Sequence, residues 1–144
     1  MRHRLVLAFA VFALLATACS SDQTSVFDLS VGDCFNDQQD LTVVEVTSVA
    51  TVDCAEPHDN EIYFEYSMTD AVFPGNDAAM DSGILRCLDE FDAFVGIAYD
   101  VSALELFPIT PTSLSWAEGD RVVFCAIYAL NLSKLEGTVR GSRR

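Results

Sequence analysis

Apolar side chains recur at helical spacing through the middle of the chain. Met80, Ile84, Cys87, Leu88, Phe91, Phe94 and Val95 share one side of a predicted helix. Asp81, Arg86, Asp89, Glu90 and Asp92 fall mostly on the other. Asn76 is placed to cap this helix, with Asp77 in the first turn. Gly83 weakens the early turns, so the firm helix is expected from near Ser82, and Gly96 supplies the stop. Elsewhere the pattern is that of strands. Residues 49–54 form one candidate, and residues 41–46, rich in β-branched side chains, another. In 61–66, alternation puts Ile62, Phe64 and Tyr66 on one face. Residues 103–107 suggest a short strand beside Pro108 and Pro111, which enforce extended or turn geometry. Residues 121–130 are apolar in both alternating sets, the pattern of a central strand covered on both sides. Residues 26–29 read as a short extended piece, and 30–33 as a turn. Strands flanking one principal helix predict an α+β fold, a small, mainly antiparallel sheet packed against that helix.

The first residues follow a different pattern. Arg2 and Arg4 precede an apolar run over 5–16, too short and too abruptly ended for a membrane-spanning helix. Thr17 and Ala18 are small, and Cys19 follows. This resembles a bacterial lipoprotein signal peptide, with Ala16 where Leu is usual. It implies removal of residues 1–18 and lipidation at Cys19, which would hold the chain on the extracytoplasmic face of a membrane. Residues 19–25 read as a polar, flexible tether, 26–139 as one domain and 140–144 as a loose basic tail.

Charge narrows the partners. The chain carries 22 acidic and 8 basic residues, a net charge of −14. All the acids lie after Cys19, so loss of Arg2 and Arg4 with the leader leaves 6 basic residues and a net charge of about −16. Such a chain lacks the clustered cations that nucleic acid requires. The same excess argues against docking directly on anionic lipid headgroups.

Five cysteines are present, and lipid on Cys19 leaves four for two disulfides outside the cytoplasm. Three pairings are possible. Cys87 lies on the apolar face of the helix, and Cys125 shares a strand face with Val123 and Ile127. Packing that helix on that strand pairs Cys87 with Cys125 and leaves Cys34 with Cys54. Cys54 and His58, four apart, raise the alternative of zinc. With no Cys-x-x-Cys and one histidine after the leader, no metal or other cofactor is expected.

Two further groups of residues carry a family likeness. The first is Gly32-Asp33-Cys34-Phe35 with Cys54-Ala55-Glu56-Pro57-His58-Asp59-Asn60-Glu61. The second is Pro111-Thr112, Ser115-Trp116 and Gly119-Asp120-Arg121-Val122-Val123-Phe124-Cys125. Their order and spacing resemble the septum-formation domain of actinobacterial envelope proteins, many of them lipoproteins. The resemblance implies a role in septum formation or envelope processes and supplies no catalytic residues.

His58 is the only histidine after the leader, so a histidine-dependent hydrolase would have to pair it with Ser115 or Asp120. No Gly-x-Ser-x-Gly elbow accompanies it. His58 is therefore expected to bond backbone groups in a corner fixed by Cys54. Trp116 is expected to pack over the core and Arg121 to find a local acid. His58, Trp116, Asp120 and Arg121 could instead form a binding surface, since Trp and Arg anchor interfaces. The expectation is a non-enzymatic, membrane-anchored module that engages envelope or division proteins. A small-ligand or wall-fragment binding module, using a pocket beside His58 and Trp116, is the alternative.

Overall fold

A computed structural model describes residues 22–37 and 47–144. The leader, Cys19 and the strand expected over 41–46 lie outside the described residues. Six strands form one antiparallel sheet: β1 (Asp22–Ser25), β2 (Cys34–Asn36), β3 (Ser48–Val52), β4 (Asn60–Ser67), β5 (Leu104–Ile109) and β6 (Val122–Ala129), in the order β1-β3-β2-β4-β6-β5. Helix α1 (Asn76–Val95) crosses one face, and a short helix, α2 (Ser113–Ala117), precedes β6. The α+β expectation holds, with both disulfides paired as the face argument gives: Cys87 with Cys125, and Cys34 with Cys54. Among the described residues, no helix is long and apolar enough to cross a membrane.

Strand β6 is central, and residues 123–127 are buried on both of its faces. Val123, Cys125 and Ile127 are buried, and so are Phe124 and Ala126. The first set packs with Cys87, Phe91 and Phe94 of α1 or with Trp116. The second packs with Val26, Leu29, Phe35 and Ile62. Strands β4 and β5 both pair with β6, so α1 crosses over β6 in passing from one to the other.

Four features differ from the sequence pattern. Strand β4 carries a bulge at Tyr63, where the register passes from Ile62 opposite Ala126 to Phe64 opposite Cys125. The extra residue moves Phe64 and Tyr66 to the helix side while Ile62 packs on the far side, so the three do not share a face. The bulge leaves Tyr63 in the core with its hydroxyl donating to the Cys87 carbonyl at 2.7 Å. Secondly, α1 is rotated. Ala79, Gly83, Cys87 and Phe91 form its buried stripe, whereas Met80 and Ile84 are 40% and 38% exposed. Gly83 is the reason. A Cβ there would lie 2.7 Å from the Pro108 Cβ, so only glycine lets the helix approach β5 this closely. The helix runs from Asn76 rather than Ser82, with Gly75 as its N-cap. Thirdly, residues 22–25, expected in the tether, form β1 against β3, and 26–28 form a 3₁₀ turn. The hydroxyls of Thr24 and Thr51 bond across that pair at 2.8 Å, so a polar sequence suffices for an edge strand.

The fourth difference is the C-terminus. Residues 140–144, expected to be loose, are bonded to the end of α1. The Gly141 amide donates to the Phe94 carbonyl at 2.7 Å and the Arg143 amide to Val95 at 2.9 Å. These bonds satisfy carbonyls that a helix end leaves open.

The β5 edge is closed to further pairing. Of its alternate amides facing away from β6, Leu104 donates to the Ser102 hydroxyl and Leu106 to the Glu105 carboxylate, and position 108 is proline. No outward N–H is left to recruit another strand.

Gly83→Ala should gain up to about 1 kcal/mol of helix propensity and lose about 1–3 kcal/mol to overpacking against Pro108. The expected net result is a lower melting temperature, read by circular dichroism. Burial pushes the Tyr63 hydroxyl above its ordinary pKa of 10.0, with Glu90 and Tyr99 adding to the shift. Above about pH 10 the unfolded chain releases a proton that the native state keeps, so stability falls as pH rises. Tyr63→Phe should reduce that slope in melting curves taken between about pH 9 and pH 11.

Candidate functional site

The first signature group forms a closed corner beyond the start of β4. The Cys34–Cys54 disulfide ties β2 to the turn after β3. The Asp53 carboxylate accepts the Ala55 amide at 2.9 Å and shapes that turn. The chain then passes Pro57 and buries His58 completely, at 0% exposure. The His58 backbone pairs with Leu135 in both directions, at 3.0 and 2.8 Å. Its ring Nδ1 lies 2.8 Å from the Glu56 carbonyl. A carbonyl can only accept, so Nδ1 carries the proton, and Nε2 has no partner among the described residues. Asp59 faces outward, paired with Lys134 at 2.7 Å and accepting the Asp37 amide at 3.0 Å.

Glu61 is the most constrained acid in this corner. It is 1% exposed and receives the Thr138 hydroxyl on Oε1 and the Val139 amide on Oε2, the latter at 2.8 Å. The Gly137 amide donates to the Cys54 carbonyl at 2.7 Å. Cys54, His58 and Glu61 therefore hold residues 135–139 as a strap, with Leu135 and Val139 in the core. Cys34 Sγ, a His58 ring nitrogen and a Glu61 oxygen lie within 4.8 Å of one another. This donor set does not fit a zinc ion as it stands. The sulfur is committed to a disulfide, and both carboxyl oxygens already accept hydrogen bonds.

The second group makes a tight turn at the other end of the sheet. Thr112 and Ser115 cap α2 reciprocally, and Ser115 and Trp116 both sit on that helix. The Ser115 hydroxyl donates to Asp120 Oδ2 at 2.9 Å, and the Val122 amide donates to Asp120 Oδ1 at 2.9 Å. The Arg121 guanidinium stacks over the Trp116 ring at 3.7 Å and donates to the Trp116 and Asp120 carbonyls. Arg121 thus binds carbonyls and a ring, where a local acid was expected. Trp116 packs with Met68, Ala79 and Val123.

Trp116, Asp120 and Arg121 come together, and His58 does not join them. His58 lies two residues before β4, beside the end of β6, whereas Asp120 lies two residues before β6 begins. The eight residues of β4 separate the two groups by roughly 23 Å, at about 3.3 Å per residue. A His58–Ser115 or His58–Asp120 catalytic pair is therefore not assembled.

A cavity of about 570 Å³ opens beside the second group. Val26, Ile109, Val122 and Phe124 form its apolar lining, with Ser115, Glu118 and Asp120 on the polar side. Phe27, 58% exposed, also lines it. Val26 follows β1 and Ile109 ends β5, the two edge strands, so the sheet curls until its edges share a cavity. This volume falls within the range of small-molecule sites. Sequence reasoning did not find the cavity, because its walls come from segments distant in the chain. Thr138, which fixes Glu61, gave no signal either.

A family model described as septum formation matches residues 31–142. No curated protein and no solved structure matches the chain.

Replacing Glu61 by Ala should cost about 2–3 kcal/mol in urea unfolding, because a buried Val139 amide loses its acceptor. Glu61→Gln keeps an acceptor for that amide and should cost less. Equal stability of all three chains would show that the strap does not depend on this carboxylate.

Proposed function

The chain belongs to the septum-formation family, and from that premise we propose that it is a non-enzymatic module anchored by lipid at Cys19. It works outside the cytoplasm and engages envelope or division proteins. The observation that carries this reading is the fate of the signature residues. His58, Glu61, Ser115, Asp120 and Arg121 are committed to hydrogen bonds within the domain, and the two groups stand at opposite ends of the sheet. Such residues specify a shape.

That cavity also favours a second reading, a module that binds a small ligand or wall fragment. Its place differs from the pocket expected beside His58 and Trp116, since its lining comes from the Ser115–Asp120 turn and the two sheet edges.

The anchor is tested by mass spectrometry of the chain purified from membranes. The expected species begins at Cys19 and carries the mass of acyl chains, and an unmodified thiol would overturn the anchor. The division role is tested by depletion. Altered septum placement or cell length is expected, and normal septation without the protein would contradict the role.

A further inference from the structure

We propose that the cavity beside the Ser115–Asp120 turn takes a small amphipathic cation, an apolar body that carries a primary ammonium. The proposal rests on the second reading above, that the cavity holds a small ligand, and adds the chemical class of that ligand. Five apolar side chains, Val26, Phe27, Ile109, Val122 and Phe124, face a space of about 570 Å³. They leave room for an apolar body, whose burial against them supplies the larger part of the binding. Phe27 lines this space and is still 58% exposed, so its ring is free to be covered by an occupant.

The polar side of the cavity decides the sign of the charge. Glu118 and Asp120 bring carboxylates to the lining, and among the described residues no Lys, Arg or His joins them there. Arg121, next in the chain, turns instead to the Trp116 ring and donates to the Trp116 and Asp120 carbonyls. Asp120 already accepts from Ser115 and Val122. Glu118 is exposed, and its carboxylate has no hydrogen-bond or ion-pair partner among the described residues. A carboxylate accepts and does not donate, so what this lining lacks is a donor. An anion placed here would meet two carboxylates and no cation, in a chain of net charge −14. A neutral polyol would satisfy the acceptors and leave the five apolar side chains without a matching surface. An ammonium brings donors and the opposite charge together, and the aromatic ring of Phe27 in the same lining adds attraction for a cation.

The test titrates the mature chain, both disulfides formed, with phenylpropylammonium, phenylpropanol and phenylpropionate, which share an apolar body and differ in charge. Amide chemical shifts follow the binding, and the changes should concentrate at residues 26–27, 109–112 and 118–124. The ammonium should bind at least roughly threefold more tightly than the alcohol, and phenylpropionate more weakly than either. High salt and the Glu118→Gln variant should each cut that preference by about half or more. If the variant fails to fold, the salt dependence of the natural chain carries the test. Equal affinity for the ammonium and the alcohol, or a preference for phenylpropionate, overturns the ligand class while leaving the cavity a binding site. Binding of none of the three, or shifts confined to other residues, overturns the cavity as a site and the ligand class with it.

Discussion

The buried carboxylate of Glu61 is the interaction on which the end of this domain depends. A carboxylate that is 1% exposed needs donors, and it finds them 77 and 78 residues further along, at Thr138 and Val139. Meeting that need draws residues 135–139 across the start of β4 and closes the core over Leu135 and Val139. The His58–Leu135 bridge and the Gly137–Cys54 bond act in the same direction. One short signature, from Cys54 to Glu61, thereby fixes where residues 135–139 must go.

The two disulfides divide the remaining work. Cys87–Cys125 joins the middle of α1 to the central strand, where helix and sheet already bury Phe91, Phe94 and Ile127. Cys34–Cys54 holds the corner in which His58 and Glu61 are buried. Cross-links of this kind stabilise chiefly by restricting the unfolded chain, by about 3 kcal/mol each for loops of these lengths. The result is a domain with two unlike ends. One holds the Cys34–Cys54 corner with residues 135–144 bonded around it, and the other holds the Ser115–Arg121 turn beside an open cavity.

Much of this was legible in the sequence where a pattern is local. The period of α1, the doubly apolar run of β6 and the disulfide pairing all follow from which side chains share a face. What was not legible depends on contacts between distant segments. Gly83 reads as a weak point in a helix until Pro108 is seen against it. Tyr63 reads as one residue of a regular strand, and its bulge becomes visible only against the register of β6. The polar residues of β1 and the terminal arginines look unstructured because their partners, β3 and the end of α1, supply the order. His58 was correctly read as a residue bonding backbone, whereas the role of Glu61 depended on Thr138, which no spacing rule connects to it.

The central claim is that the signature residues build a clamp on the C-terminal segment. Amide hydrogen exchange resolved at Leu135 and Val139 tests it most directly, with the Cys125 amide in the central strand as the reference. The clamp requires these two amides, donating to the His58 carbonyl and the Glu61 carboxylate, to exchange only through global unfolding, at the rate of Cys125. Exchange at the rate of an exposed loop while Cys125 stays protected would contradict it.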